Sequence, residues 1–460
     1  MSKPKIGILG LTLQLYKDKT PQMISNLLSF SDELKQTFSK QADIVHYPMA
    51  YNRETVEEAF STFSESNVDG VILVFLSYSP SLILLPTLKK TNIPILILNT
   101  QKLEEITPDF SPKDSSANHG MHGVQDLSSV LLREKVRFSL ITGYYKDQET
   151  LSNVSDWCSS AQSVSSLKKA KVGRIGGAFK DMGDFDMEPD LLKSVIGASV
   201  VEVSPEDLSL FKNFPPPTTN EVNDALDFEI EWDSDITFEH KVDSIKTFSF
   251  IKELSKKEGI SAWAINFEGL GEYIPMPFLG ISLLLKEAFG YGGEGDIFSS
   301  TLVLLAQILT SGKATFTEMF TTDYKNSRIY MTHMGESNLG LRRKDVPVKM
   351  FLNKMALGNA MPTIVPSFSI QPGNYTLINL AGDKDNKLKI IFSDIEVVDQ
   401  KPFKAMKTPH FLIKPKVPVE EFLTRYSLQG GTHHLALASG DIKRKLLYFG
   451  FINNIETIQI

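Results

Sequence analysis

Continuous apolar runs alternate with amphipathic stretches over the first 165 residues, and this alternation limits the possible folds more than any other feature. Runs such as KIGILGL, GVILVFL and PILILN lack the polar alternation of a half-exposed strand. Stretches with helical spacing of apolar residues lie between them, for example QMISNLLSFSDELKQTF and HGVQDLSSVLLRE. Strands that are apolar on both faces and separated by helices predict a parallel sheet covered by helices on both sides.

A second region of the same kind follows. The small, polar and basic stretch SSAQSVSSLKKAK precedes a new strand, VGRIGGAF, so a domain boundary is predicted near Lys168. The strands GASVVEVS and SAWAINFEG, the helix HKVDSIKTFSFIKELSKKEG and a helix from about Pro277 to Phe289 form a second α/β unit. NFPPPTTNEVND is predicted to be a loop or turn insertion.

The texture changes after about Thr315 to β-branched alternation with turn pairs, as in RIYMTHMGES and PTIVPSFSIQPGNYTLINL. GDKDN is predicted to be a hairpin turn, and the closing YFGFINNIETIQI to add one or two strands. The sequence therefore predicts an α/β protein of three domains. Two Rossmann-like or flavodoxin-like parallel-sheet domains, 1–168 and 169–314, precede a C-terminal antiparallel β-rich, barrel-like domain, 315–460.

Composition excludes several classes of protein. The 460 residues carry a net charge of -7, with Lys and Arg scattered among acids, which argues against nucleic acid as a partner. The first apolar run is too short to span a bilayer, so no membrane partner is expected. Cys158 is the single cysteine and cannot form an internal disulfide, which favours a reducing, cytoplasmic location.

The segment GYGGEGD is predicted to be a glycine-rich turn that places Glu294 just before a strongly apolar helix, where the backbone can approach a bound ion or sugar. An acidic pair at this position, Glu294 and Asp296, is equally well explained by the dipole at a helix N-terminus. The segment matches neither the dinucleotide fingerprint nor the phosphate-loop pattern. The sequence therefore leaves two explanations for Glu294.

Glu318 and His333 lie fifteen positions apart, too far for one helical face, so they can meet only through tertiary folding. A surface acid and a strand histidine remain an alternative. In QGGTHHLAL, strand alternation would point His433 and His434 to opposite faces, which leaves at most one of them as a ligand. Two carboxylates and two imidazoles suit Mn²⁺, Fe²⁺, Co²⁺ or Zn²⁺ better than Ca²⁺.

The four motifs GYGGEGD, TEMF, MTHMGE and GGTHH, in this order, resemble the L-arabinose isomerase family of the arabinose and fucose isomerases. The resemblance implies a metal-dependent aldose–ketose isomerase that acts on a small sugar. It implies Glu294, Glu318, His333 and His434 as ligands of Mn²⁺, or of another divalent cation such as Co²⁺, Fe²⁺ or Mg²⁺, with His433 less favoured. The two glutamates would also act as general acid and base in an enediol-type proton transfer.

The resemblance also implies substrate-binding residues, each in its own matching segment. They are Tyr78 in LSYSPS, His122 in NHGMHG, Phe179 in VGRIGGAF, Phe267 in NFEGLG and Leu15 in LQLY. For the aromatic residues, a place in the hydrophobic core is the alternative. This sequence departs from the family pattern at LQLY, where the glutamine is displaced by one residue, and at MFTTDY after Glu318.

The resemblance also implies a homo-oligomer with a trimer-based assembly, such as a hexamer, in which His122 reaches a neighbouring pocket. The sequence leaves two alternatives open. A sugar-binding or sensing protein of tandem α/β domains would share the first two domains, but not a β region that carries GGTHH. A family member repurposed to a different sugar would keep the ligands and change the pocket.

Overall fold

The structure is a computed structural model that describes residues 3–354, 361–382, 385 and 387–460. Two compact units make up the chain. One runs to Ser165 and includes Leu447–Asn454; the other comprises Ser166–Leu446 and Ile455–Ile460. None of the helices in the described ranges is long and apolar enough to cross a membrane. The finer division at residues 168 and 314 stays a prediction.

The N-terminal unit is built on a five-stranded parallel sheet of order β2-β1-β3-β4-β5, the flavodoxin-like order. Its strands are β1 (Lys5–Leu11), β2 (Asp43–Ala50), β3 (Gly70–Phe75), β4 (Ile95–Asn99) and β5 (Ser139–Thr142). The helices are α1 (Gln14–Lys19), α2 (Pro21–Phe38), α3 (Arg53–Glu65), α4 (Leu85–Leu88), α5 (Pro112–Ala117), α6 (Gly120–Arg133) and α7 (Gln148–Lys168).

Both faces of this sheet are covered, which explains the continuous apolar runs. On β3, Ile72 and Val74 belong to one hydrophobic cluster, while Val71 and Leu73 belong to the cluster on the opposite face. The stretch SSAQSVSSLK before the predicted boundary is helical, because it forms the second half of α7. Its small side chains allow close packing, and Ser163 satisfies its hydroxyl by donating to the backbone oxygen of Ser160.

The second unit begins with a four-stranded parallel sheet of order β10-β9-β6-β7. Its strands are β6 (Lys171–Ile175), β7 (Ser199–Glu202), β9 (Ala262–Ile265) and β10 (Gly290–Gly293), with β8 (Ile230–Trp232) elsewhere. The helices are α8 (Pro189–Val195), α9 (Pro205–Ser209), α10 (Thr219–Ala225), α11 (Phe238–Glu258), α12 (Phe278–Lys286) and α13 (Ile297–Leu309). Two expectations are wrong in part: TNEVND starts α10 behind a Thr218 cap rather than forming a loop, and GYGG is a strand.

The same unit continues into a closed six-stranded antiparallel barrel of order β15-β18-β11-β12-β17-β16, with β16 returning to β15. Its strands are β11 (Ala314–Asp323), β12 (Arg328–Thr332), β15 (Gly373–Gly382), β16 (Leu388–Val397), β17 (His410–Pro415) and β18 (His434–Ser439). Outside the ring, β13 (Val348–Asn353) pairs with β14 (Thr363–Ser367) and β8, and β19 (Glu456–Gln459) pairs with β16. The predicted fold class of two parallel-sheet regions and a barrel is confirmed.

The end of the chain agrees with the prediction in part. The closing segment supplies one strand, β19, but most of YFGFINN lies in the helix α15 (Lys443–Asn453), and α14 (Val419–Leu428) has no counterpart in the prediction. The predicted hairpin turn GDKDN joins the paired strands β15 and β16, but residues 383, 384 and 386 lie outside the described residues.

Candidate metal centre

Three of the candidate ligands lie in, or directly after, neighbouring barrel strands. Glu318 on β11 lies directly opposite Thr332 on β12 and, on the other side, opposite His434 on β18. His333 follows Thr332. Because residues directly opposite each other across strands point to the same face, the strand register alone brings Glu318 and His434 together. Glu318, His333 and His434 are all buried.

Glu294 reaches the same place from the parallel sheet. It follows the last residue of β10 and has a left-handed backbone conformation, φ 56°. A residue other than glycine costs on the order of 1 kcal/mol there, a strain typical of functional sites. The helix start at α13 is capped by Asp296, whose Oδ1 accepts from the backbone N–H of Phe298 and of Ser299, both at 2.9 Å. Asp296, not Glu294, therefore explains the helix N-terminus.

The glycines of β10 allow this close approach. A Cβ at Gly292 would lie 2.2 Å from the backbone oxygen of Asp296. A Cβ at Gly293 would lie 2.8 Å from Cε1 of His333. The start of α13 and the His333 ring thus pack directly on the backbone of the strand, and a side chain at either position would push them away.

The donor atoms converge. One ligand atom from each member of a four-residue group lies within 4.8 Å of all the others; the group is Glu294, Glu318, His433 and His434. His434 Nε2 is 3.0 Å from Glu318 Oε1 and 3.6 Å from Glu294 Oε2. His333 lies outside the group of four, but its Nε2 is 3.4 Å from Glu318 Oε1.

Both members of the histidine pair face these carboxylates, although strand alternation would separate them. His433 Nε2 is 3.5 Å from Glu294 Oε2 and 3.8 Å from Glu318 Oε1. The alternation does not apply because β18 begins at His434, so that His433 belongs to the preceding turn. The structure brings the two rings together, with centroids 4.2 Å apart.

Each of the three imidazoles has a carboxylate on its Nδ1. The pairs are His333 with Glu336 at 2.8 Å, His434 with Asp296 at 2.9 Å and His433 with Asp184 at 2.6 Å. Such carboxylate–imidazole pairs fix the ring orientation and make the other nitrogen a better ligand. Sequence reasoning missed Glu336, three residues after His333, and Asp184, which has no motif or spacing that marks it.

Apolar rings pack around these histidines. The Phe316 ring contacts His333 and His434 edge-on, with both centroids 4.9 Å away. Phe185 stacks on His434 at 5.0 Å with an interplanar angle of 12°. These rings exclude water from the buried side of the site, which strengthens every electrostatic interaction there.

The carboxylates dominate the electrostatics. Burial by itself would lower the pKa of His333, but the adjacent Glu336 raises it to about 9. Burial would also lower the pKa of His433, but the hydrogen bond to Asp184 raises it to about 10. Burial would raise the pKa of Glu318, yet the neighbouring imidazoles lower it. The site is therefore rich in negative charge that protons partly neutralise, a setting that favours a cation.

Unpartnered polar atoms test whether a cation fits. Glu294 Oε2, His333 Nε2 and His434 Nε2 are buried and make no hydrogen bond. Such orphaned buried atoms are rare in folded proteins and call for an explanation. Carboxylate oxygen and imidazole nitrogen are the ligands that Mn²⁺, Fe²⁺, Co²⁺ and Zn²⁺ accept, so the cluster fits a divalent cation.

Two of the predicted substrate-binding residues lie in the same unit. The rings of Phe179 and Phe267 are 5.3 Å apart, and both side chains are half-buried. The backbone N–H of Phe179 donates to the backbone oxygen of Glu294 at 2.9 Å. Phe179 is thus tied to the segment that presents Glu294, which a simple core position would not require.

The other predicted substrate-binding residues belong to the N-terminal unit. Tyr78 follows β3, Leu15 lies in α1 and is 56% exposed, and His122 lies in the first turn of α6. Along the chain, α1 follows the carboxyl end of β1, Tyr78 follows that of β3, and α6 comes after β4 and α5. In the 2-1-3-4-5 order, β1 and β3 mark the switch point where ligands bind in such sheets.

His119, which sequence reasoning missed, connects this aromatic group. Its ring stacks on Tyr78, with centroids 6.2 Å apart, and meets the His122 ring edge-on at 5.7 Å. His119 Nε2 is hydrogen-bonded to the Tyr16 hydroxyl at 3.4 Å. The segment NHGMHG contains both His119 and His122, but the resemblance assigned a substrate-binding role to His122 alone.

Comparison with known proteins agrees with this architecture. The family models that match describe the L-arabinose isomerase N-terminal domain over residues 9–169, its central domain over 219–312 and its C-terminal domain over 313–456. L-arabinose isomerase 1 of Bacillus licheniformis is 24% identical, with 86% of this chain and 82% of that protein covered. L-arabinose isomerase of Bacillus subtilis is 22% identical, with 97% and 92% covered.

Among solved structures, a periplasmic solute binding protein from Actinobacillus succinogenes with bound D-allose is 11% identical and covers 68% of this chain and 85% of its own. Its TM-score is 0.18, too low to inform the fold. The parallel sheets, the barrel and the matched domains define the class, an aldose–ketose isomerase and thus an intramolecular oxidoreductase. Within this class, the chain belongs to the L-arabinose isomerase family.

Proposed function

We propose that this protein interconverts an aldose and its 2-ketose at a divalent cation that is held by Glu294, Glu318, His333 and His434. Mn²⁺ is the proposed cation. The observation that carries the proposal is the convergence of three buried, unpartnered ligand atoms from Glu294, His333 and His434. Glu318 lies within 3.4 Å of both imidazoles. Four protein ligands on a six-coordinate ion leave about two positions open, unlike a closed structural tetrahedron.

The reaction moves a hydrogen between C1 and C2, so a base must remove a weakly acidic C–H proton and return it to the neighbouring carbon. When bound, the cation supplies Lewis-acid stabilisation of the charge that develops on the sugar oxygens. Glu294 and Glu318 are the proposed acid and base. The neighbouring imidazoles lower the pKa of Glu318, which keeps its carboxylate ionised and able to accept a proton.

The remaining predicted residues would bind the sugar. Phe179 and Phe267 supply an apolar wall that is attached to the Glu294 segment through the Phe179 backbone. From the N-terminal unit, Tyr78, His122 and Leu15 are the proposed sugar contacts, with His122 contributed to a neighbouring subunit. A cytoplasmic, trimer-based homo-oligomer, such as a hexamer, is part of the same proposal.

The test is a panel of aldopentoses, aldohexoses and 6-deoxy sugars incubated with the protein and Mn²⁺, with ketose formation as the readout. Glu318→Gln should keep the fold and lose isomerisation, because the amide cannot accept the proton; a catalytic base typically contributes about 10²- to 10⁴-fold. Glu396→Gln, on an exposed position of β16, is the matched control. Near-normal turnover by Glu318→Gln would remove Glu318 from the mechanism.

A family member that uses a different sugar is the second candidate. The segment MFTTDY departs from the family pattern, and here the structure has a β-bulge at Phe320, which is exposed. Bulges next to active sites redirect side chains. Conversion of another sugar in the panel in preference to L-arabinose would establish this version, and binding of a sugar without conversion would favour a sensing role.

A further inference from the structure

Asp184 and His433 form a pair that the family resemblance does not include. Asp184 Oδ2 accepts two hydrogen bonds from His433, one from the backbone N–H at 3.0 Å and one from Nδ1 at 2.6 Å. The two side chains are 38% and 39% exposed, so the pair lies at the open side of the centre. A carboxylate that holds both backbone and ring leaves the imidazole little freedom to rotate.

The orientation that results is specific. With Nδ1 engaged by Asp184, the Nε2 of His433 faces Glu294 Oε2 at 3.5 Å and Glu318 Oε1 at 3.8 Å. The ring of Phe185, next in sequence to Asp184, lies against His433 with centroids 5.5 Å apart. The segment that contains Asp184 thus fixes His433 from two sides.

The same arrangement occurs at the other two imidazoles. Glu336 holds the Nδ1 of His333 and Asp296 that of His434, and in both cases Nε2 is directed at the carboxylates. Metal-binding histidines commonly have a carboxylate on the nitrogen that does not bind the metal. His433 is the most exposed of the three imidazoles.

We propose that Asp184 is a positioning residue that makes His433 a further ligand of the cation, on the solvent side of the site. This inference rests on the proposed cation centre. As the half-exposed imidazole, His433 would hold the cation from the side on which a sugar would approach.

The test measures Mn²⁺ affinity by calorimetry for the unmodified protein and, first, for three variants of the Asp184 segment. Asp184→Ala should bind Mn²⁺ roughly 10- to 100-fold more weakly, the usual effect of losing such a partner. Asp184→Asn keeps an acceptor and should lose on the order of fivefold, because a neutral acceptor has about half the strength of a charged one. Asp186→Ala, two residues away on the exposed surface, is the matched control and should not change affinity.

A double-mutant cycle separates positioning from a general structural effect. If Asp184 acts through His433, Asp184→Ala should add nothing to His433→Ala, whereas independent effects would add. Additive losses overturn the inference, as does Asp184→Ala with unchanged affinity. The visible spectrum of bound Co²⁺ gives a second readout, since loss of one imidazole ligand shifts its absorption bands in Asp184→Ala and His433→Ala alike.

Failure of this inference is distinguishable from failure of the proposed centre. If the unmodified protein binds Mn²⁺ and His434→Ala abolishes binding, the centre stands, and unchanged affinity in His433→Ala overturns only the role of His433 and Asp184. If the unmodified protein binds neither Mn²⁺ nor Co²⁺, the centre itself is wrong and the inference fails with it.

Discussion

Asn379, in the middle of β15, links the barrel wall to the turn that carries the histidine pair. It is fully buried. Its Nδ2 donates to Thr432 Oγ1 at 2.6 Å and to the backbone oxygen of His434 at 2.7 Å, and its Oδ1 accepts from the Thr432 backbone N–H at 3.2 Å. Asn379→Leu keeps the side-chain volume and removes all three hydrogen bonds.

The expected cost follows from what the substitution leaves unpaired. The Thr432 N–H loses its side-chain acceptor, and a buried group without a partner costs about 1–3 kcal/mol. The oxygen of His434 keeps the Thr432 hydroxyl at 3.3 Å, so its loss is limited to about 1 kcal/mol. Together, Asn379→Leu should lower the free energy of unfolding by about 3 kcal/mol.

Urea unfolding followed by tryptophan fluorescence measures this change. The chain has three tryptophans, and in a Trp157→Phe background the remaining two, Trp232 and Trp263, both report on the unit that contains the barrel. Mn²⁺ affinity should fall in parallel, because the backbone of His434 is no longer held.

Asn374→Leu, at an exposed position of the same strand, is the control, and its free energy of unfolding should stay within about 0.5 kcal/mol of that of the unmodified protein. If the free energy of unfolding of Asn379→Leu lies within about 1 kcal/mol of that of the unmodified protein, the reasoning is refuted, since even one buried group without a partner should cost that much.

Three further predictions follow from other features. Gly293→Ala should weaken Mn²⁺ binding roughly 10- to 100-fold, because its Cβ would lie 2.8 Å from the His333 ring. Gly183→Ala is the control and should bind Mn²⁺ normally, since no atom lies within 4 Å of its Cβ. Equal Mn²⁺ affinities of the two variants would contradict this packing argument. Burial lowers the pKa of His46 and His410, so the folded protein resists a proton that the unfolded chain accepts below about pH 6.5. Their contribution to stability is therefore present above about pH 6.5 and lost as the pH falls; Tm should decline from pH 7 to 5, and His410→Gln should flatten that decline. Removal of the cation by a chelator should lower Tm. Addition of Mn²⁺ at 100 times its Kd should raise the free energy of unfolding by about 2.7 kcal/mol, and a Tm that responds to neither treatment would argue against a cation site.

Much of the architecture was predictable because burial leaves a pattern in the sequence. The runs KIGILGL and GVILVFL are apolar throughout because both faces of β1 and β3 are covered, and β-branched alternation marked the barrel. GYGG was misassigned because glycine has a low strand propensity, while the structure needs it where α13 packs on the backbone of β10. YFGFINN was misassigned because its aromatics favour strands, yet Leu446 and Phe449 are buried with helical spacing.

The candidate site was predictable only in part. Glu318 and His434 were found through short motifs, and no spacing rule could have paired residues that meet through barrel register. Strand alternation was taken to leave at most one of His433 and His434 as a ligand, and the resemblance favoured His434; the strand begins only at His434, so the alternation does not apply to the pair. Asp184 contacts His433 from a segment far away in sequence, without regular structure, and contacts of this kind leave no periodic signal.

The closed barrel has a consequence for how this chain can change. Glu318 and His434 are paired by hydrogen-bond register on adjacent strands, and a slip of one residue would turn Glu318 to the opposite face. A cylinder without free edges resists such a slip. Loops between its strands can therefore lengthen, shorten or diverge while the spacing of Glu318 and His434 stays constant, because that spacing depends on the strand pairing and not on the connections.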